Sequence, residues 1–424
     1  MVKLSTIYKA IVILCASIMV GVPLLFPTEF IGVYTQRTFI FILALGFSLY
    51  VLVSKDYLLR KQIKFLNYYA ILYVPIILIM SIYSSTKYSY PLDQMLKITI
   101  IPHLFIFVSY LIIFIFHSDN SVNKFLKIIA ILVVTMLSIR MFSWIMYNFR
   151  GSIYFPRLLF QYEGWIRDGF QRVEAGVLYG IALVTVAVNS LRSGIKGIIY
   201  KTILVFMVLF LVLVTRVRFQ SFLAVITIGM VYVFYKPKTR NGSILKILFY
   251  IIAILFLLLN SQLLGNAFDT LLYSESYSSS TGVRFEGLRH YLSIMYNQNA
   301  IFGLGFLNPG NSIVHGLMSR NQWSIYYIDD LGIFGTIIQL GVFTFITHGL
   351  LFMKAVKVTM KSLRSRKREY ILYTVGLTTY MIGSNLLLNM FDDQRIFDVP
   401  FYLAIYSYLD GVLMEELSDS KDRA

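Results

Sequence analysis

From Ser261 to Asp330 the chain reads SQLLGNAFDTLLYSESYSSSTGVRFEGLRHYLSIMYNQNAIFGLGFLNPGNSIVHGLMSRNQWSIYYIDD, a long polar interruption in a sequence that is otherwise mostly apolar. It is too long for a turn. It is also too polar to cross lipid, where charged side chains and open backbone amides find no partners. The flanking sequence explains it. Of 424 residues, 58% are hydrophobic and only 14% charged, with a mean hydropathy of +0.71. Soluble domains lack this balance, so the expected class is an all-α polytopic membrane protein. The interruption, taken as 263–330, is then a long extracytoplasmic loop inserted between two spans of a single integral membrane domain covering 1–424.

A span needs about 20 apolar residues. Runs that fit lie near 7–26, 38–53, 66–83, 98–116, 128–147, 175–191, 202–215, 221–235, 247–264, 331–353, 370–390 and 397–413, which gives about 12 transmembrane helices. The first run is long for a signal segment and reads as a retained span. Basic clusters follow the even-numbered spans, as at Lys55, Arg60, Lys61 and Lys64, and again from Lys354 to Arg368. Positive residues favour the cytoplasmic side, so both termini are expected in the cytoplasm and the long loop on the outer side of the membrane. The net charge of +17 has the same origin and does not imply a nucleic-acid partner. One cysteine, Cys15, lies in an apolar run, which leaves no disulfide framework and no thiolate metal site.

The outward-facing cations differ in type from the inward ones. Arg37, Arg150, Arg157, Arg167, Arg172, Arg216, Arg218, Arg284, Arg289, Arg320 and Arg395 are expected outside, with only Lys87 and Lys97 beside them. A guanidinium offers a planar fork of donors that fits a phosphate, where an ammonium offers a point charge. Snorkelling to headgroups, or pairing with Glu163, Asp168, Glu174 and Glu286, is the plainer reading of any single arginine. As a set they suit an anionic ligand. Arg216 and Arg218 occupy a turn too short to project from the membrane, and Arg140 falls inside a span, where a charge needs a reason.

Within the loop a helix is expected from about Gly282, with Phe285, Leu288, Leu292 and Met295 on one face and Arg284 off that stripe. Gly303-Leu-Gly305 ends it and lacks the context of a dinucleotide fingerprint. His315 and Arg320 follow, then Trp323, Tyr326 and Tyr327, an aromatic group suited to an interfacial belt or a sugar platform. The acid pairs Asp329-Asp330 and Asp392-Asp393 have no third oxygen ligand at a telling spacing, so no metal is expected.

Three short pieces resemble the superfamily of bacterial O-antigen polymerases and O-antigen ligases, with the related polymerases of capsule and exopolysaccharide units. They are Thr215-Arg-Val-Arg218 at the head of a span, Arg284 with its helix and Ile301-Phe-Gly303-Leu-Gly305, and Arg320-Asn321 leading to Asp330-Leu-Gly332-Ile-Phe-Gly335. Where that family shows His-Asn, this chain has Arg320-Asn321, and Val217 stands in place of a serine. The resemblance implies a metal-independent membrane glycosyltransferase without a cofactor. Its donor would be a polyprenyl-diphosphate-linked oligosaccharide, its other partners membrane lipid, a flippase and a chain-length regulator. Arg218, Arg284 and His315 would be catalytic. Arg216, Arg320, Arg289, Arg140 and Glu286 would bind diphosphate or sugar, with Glu286 in reserve as the base. A ligase would use the same parts, and a polysaccharide flippase or secondary transporter is the alternative of another class.

Overall fold

In apolar surroundings a chain satisfies its backbone within its own helices, and the computed structural model of this chain is mostly helical, at 77%. It describes residues 4–27, 32–161, 164–235, 280–321, 324–392 and 395–421. The expected ninth span, the first part of the long loop, and Trp323 lie outside the described residues.

The helices that carry the argument are α1 (Leu4–Met19), α2 (Val33–Leu52), α3 (Tyr57–Tyr88), α4 (Ile101–Asp119) and α5 (Val122–Arg150). Next come α6 (Tyr179–Ser190), α7 (Ile195–Thr215), α8 (Arg218–Phe234), α9 (Ser280–Asn297) and α10 (Ser312–Met318). The last four are α11 (Ile333–Phe343), α12 (Phe345–Ser362), α13 (Arg368–Ser384) and α14 (Asp398–Lys421). Among the described residues five helices, α2, α3, α4, α5 and α7, are long and apolar enough to cross a membrane. The count is six if α11 and α12 form one span. The helices α1, α6 and α8 are apolar but shorter.

Local chemistry sets several boundaries. Asp56 caps α3 by accepting from the Leu58 and Leu59 amides at 2.9 and 3.1 Å, and Ser121 caps α5 through the Lys124 amide. The expected span at 331–353 is not one straight helix: α11 and α12 meet at 110°. The cause lies in the returning loop. Leu304 N and Gly305 N donate to Ile338 O and Gln339 O, and Val342 N donates to Ile301 O. Any Cβ on Gly303 or Gly341 would collide with the facing backbone, so the Gly303-Leu-Gly305 turn is a packing device.

Two helices occupy the centre. Every residue of α6 is buried, and it packs on α5, α7, α8 and α13. At about 18 Å it is shorter than a hydrocarbon layer of about 30 Å. The buried, non-helical segment 173–178 continues its path inside protein, where irregular backbone is tolerated. Along α14 nearly all positions from Val399 to Leu413 are buried against α3, α4 and α12.

Candidate functional site

The arginines stand on three chain segments, two of which meet near the starts of α6 and α8. The first is a hairpin, β1 (Ile166–Arg167) paired with β2 (Phe170–Gln171). Its turn residues Asp168 and Gly169 both have positive φ, as a type I′ turn requires. Trp144 Nε1 donates to Gln171 O at 2.7 Å and Gln171 N to Asn148 Oδ1 at 2.8 Å, which ties the hairpin to α5.

The second segment is the turn between α7 and α8. Arg216 takes a left-handed conformation there, with φ of 54°. Its Nη1 donates to Arg167 O at 2.9 Å and lies 3.3 Å from Asp168 Oδ2, while Arg167 Nη1 donates back to Arg216 O at 2.9 Å. Arg172 Nε donates to Thr215 O at 2.8 Å. The guanidinium groups of Arg172 and Arg216 lie over the Trp165 and Phe170 rings at 4.0 and 4.1 Å. Partial burial and the charges of Arg167 and Arg216 lower the Arg172 pKa to about 10. Arg218, the first residue of α8, is exposed and its guanidinium has no partner among the described residues. The helix dipole disfavours a cation at that position, and no acid stands in the first turn of α8.

The third segment is the described part of the long loop. Arg284 on α9 lies 3.7 Å from Asp330, and both line a pocket of about 230 Å³ with Val283, Gly287, Ile325, Tyr326, Tyr327 and Leu331. At about 30 Å³ per water the pocket has room for several small polar groups. The buried face of α9 runs through Gly287 and Tyr291, whose hydroxyl donates to Tyr326 O at 2.6 Å. Of the expected apolar stripe, Leu292 is 45% exposed, so the stripe turns partly away from the protein. Arg289 is exposed on α9. Strands β3 (Ser319–Asn321) and β4 (Ser324–Ile325) form a second small hairpin. Arg320 on β3 lies 3.2 Å from Glu286, though Glu286 Oε2 is not aligned for a hydrogen bond. Burial, and then Glu286, raise the Tyr326 hydroxyl pKa to about 12.

His315 stands on α10, capped by Asn311. Its ring is exposed, outside the Arg284 pocket, and has no partner among the described residues. Arg140 is elsewhere. It is 4% exposed, and its Nη1 and Nη2 donate to Glu174 O and Val20 O at 2.8 Å each, with Gly176 and Gly21 leaving room for the guanidinium. It is therefore a bracket between α5, the chain before α6 and the end of α1.

The sequence reading placed Arg172 and Arg395 among the outward arginines but gave neither a role of its own. Arg172 belongs to the arginine cluster, and the Asp168-Gly169 dipeptide between the apolar-polar pairs Ile166-Arg167 and Phe170-Gln171 is the turn signal that would have placed it. Arg395 forms ion pairs with Asp392 and, at 3.8 Å, with Glu174, beside a small cavity of about 30 Å³ that Asp398 and Gln220 also line. Among the described residues no cluster of three His, Cys, Asp or Glu side chains could hold a metal ion. The chain matches no family model, and no curated protein is similar to it.

Proposed function

We propose that this is a membrane glycosyltransferase that joins polyprenyl-diphosphate-linked oligosaccharide units on the outer face of a bacterial inner membrane, with about 12 spans and both termini in the cytoplasm. One observation carries the reading: arginines of the β1–β2 hairpin and of the α7–α8 turn are tied to each other, and Arg284 lines a pocket with Asp330, whose charge acts on Arg172. Such fixed, partly dehydrated donors stabilise a diphosphate as it takes up charge on leaving. Arg218 adds a free fork at a helix N-terminus, where an anion would satisfy both the side chain and the dipole.

The step is a displacement at the anomeric carbon. The acceptor hydroxyl forms the new C–O bond as the bond to the diphosphate oxygen breaks. The diphosphate keeps the electron pair and stays with Arg216, Arg218 and Arg284. The hydroxyl proton passes to a base, and His315, exposed and unpartnered, is the proposed one, with Glu286 as its substitute. Arg320 and Arg289 border the same loop and would hold the sugar or the second phosphate. A ligase that hands the glycan to a lipid acceptor would use the same step.

A carrier is the second reading, because the 110° break between α11 and α12 resembles the interrupted helices of transporters. The glycine crossing at Gly303 and Gly341 accounts for that break by packing alone, which leaves the arginine cluster as the stronger guide. The test is reconstitution of the purified chain with lipid-diphosphate oligosaccharide. Lengthening of the glycan with release of polyprenyl diphosphate supports the transferase. Uptake of the intact lipid-linked unit without lengthening overturns it. A tag at Gly310 that reacts only in permeabilised cells overturns the orientation.

A further inference from the structure

The Arg284–Asp330 pair has an unusual form for an ion pair in a pocket. Its separation of 3.7 Å is beyond hydrogen-bond distance, and the Asp330 side chain is 52% exposed. Asp330 is also the acid whose field opposes the crowding of Arg172 by Arg167 and Arg216. Arg172 has its Nε committed to Thr215 O and one face on Trp165, so its orientation is fixed. The rest of its fork has no hydrogen-bond partner among the described residues. An exposed, loosely seated carboxylate therefore lies beside Arg284 in the pocket, and its charge also acts on Arg172, whose fork is held in place with donors to spare. A pair this exposed contributes little, so a group of higher charge displaces it easily.

We propose that Asp330 is a resident counter-ion: it occupies an anion position between Arg284 and Arg172, and a phosphate of the ligand displaces it. This rests on the diphosphate reading above and adds Arg172 as a binding residue. It also makes the empty site self-neutralised, so that the arginines do not repel one another or capture monovalent anions before the ligand arrives.

The test is titration of the full chain in detergent micelles with inorganic pyrophosphate, read by calorimetry and by the fluorescence of Trp165 beneath Arg172. Trp165→Phe should remove the optical signal. Asp330→Asn should tighten pyrophosphate binding about threefold to tenfold, and Asp330→Glu should leave it within about twofold. Arg172→Lys should weaken it, because the charge remains but the fork is lost. Farnesyl diphosphate in the same micelles separates a lipid diphosphate from a free one: Asp330→Asn tightens both, and a lipid site favours the prenyl form. Asp330→Ser carries the same prediction if Asp330→Asn does not fold. Unchanged or weaker binding in a folded Asp330 variant, with wild-type binding intact, overturns the counter-ion and leaves the diphosphate reading standing. Absence of binding to either diphosphate by wild type and variant alike overturns both.

Discussion

The final helix, α14, has charge clusters at two levels, and they are built differently. At its start stand Asp398 and Arg395, next to the segments that gather Arg172, Arg216, Arg218 and Arg284. About 18 Å further along is Asp410. It receives Lys354 and Lys361, and two turns later Glu416 binds Ser365 Oγ and Arg366 N. In the Asp410 cluster both cations reach one carboxylate, and Lys354 lies over the Phe65 ring. In the arginine cluster, cations outnumber well-seated acids and Arg218 has none. A closed network holds helices together. An open one has capacity for a ligand.

The largest effect expected from that contrast is on catalysis. Arg284→Ala should lower glycan lengthening by about 10³-fold at normal protein level, the loss typical of removing a preorganised donor at a developing anion. Arg218→Lys should lose nearly as much despite its retained charge. Unchanged output from either would break the contrast. Next in size is Asp410→Asn, which strands two lysines whose side chains are 10% and 22% exposed. It should cost about 3 kcal/mol of stability, seen as a lower melting temperature in detergent, with turnover per folded molecule unaffected. A variant that melts normally but fails to turn over would place Asp410 in the mechanism instead.

Much of this was legible in the sequence because it follows from composition and residue type. The helices come from unbroken apolar runs, and the preference for arginine over lysine marked Arg216, Arg218 and Arg284 without any coordinates. What sequence could not supply is which arginine faces which partner. In the sequence Arg140 is a lone cation in an apolar run and Arg172 one of several arginines in a mixed stretch. Only the fold shows that Arg140 ends on two carbonyls while Arg172 joins a crowd. The bend after Phe343 is likewise a product of two glycine turns nearly 40 residues apart in sequence, which no local pattern encodes. The helix near Gly282 was foreseen. Its buried face was not, since it is set by Tyr291 and Gly287 meeting Tyr326 rather than by the apolar stripe.

His315 sharpens the comparison from the other side, as a titratable group with no structural duty. Its ring makes no contact that its loss would break among the described residues, so His315→Ala should leave the melting temperature unchanged. If it is the base, turnover should fall by about 10²-fold. Full activity in His315→Ala moves the role to Glu286, which Glu286→Gln would then reveal.

The smallest effect concerns Asp168, and it separates positioning from charge within the open cluster. Arg216 is held by Arg167 O, by Leu213 O at 3.1 Å and by the Phe170 ring, in addition to Asp168. Asp168 is 75% exposed, so its pair is worth no more than a few tenths of a kcal/mol. Asp168→Asn should therefore change stability by less than about 0.5 kcal/mol and leave turnover within about twofold. Arg216→Lys cannot make the same set of bonds and should disturb both hairpin and turn, because the Arg167 and Arg216 carbonyls each depend on the other arginine. If Asp168→Asn proves as damaging as Arg216→Lys, the carboxylate and not the carbonyl clasp orients the arginine. The cluster would then be a closed network of the same kind as the one around Asp410.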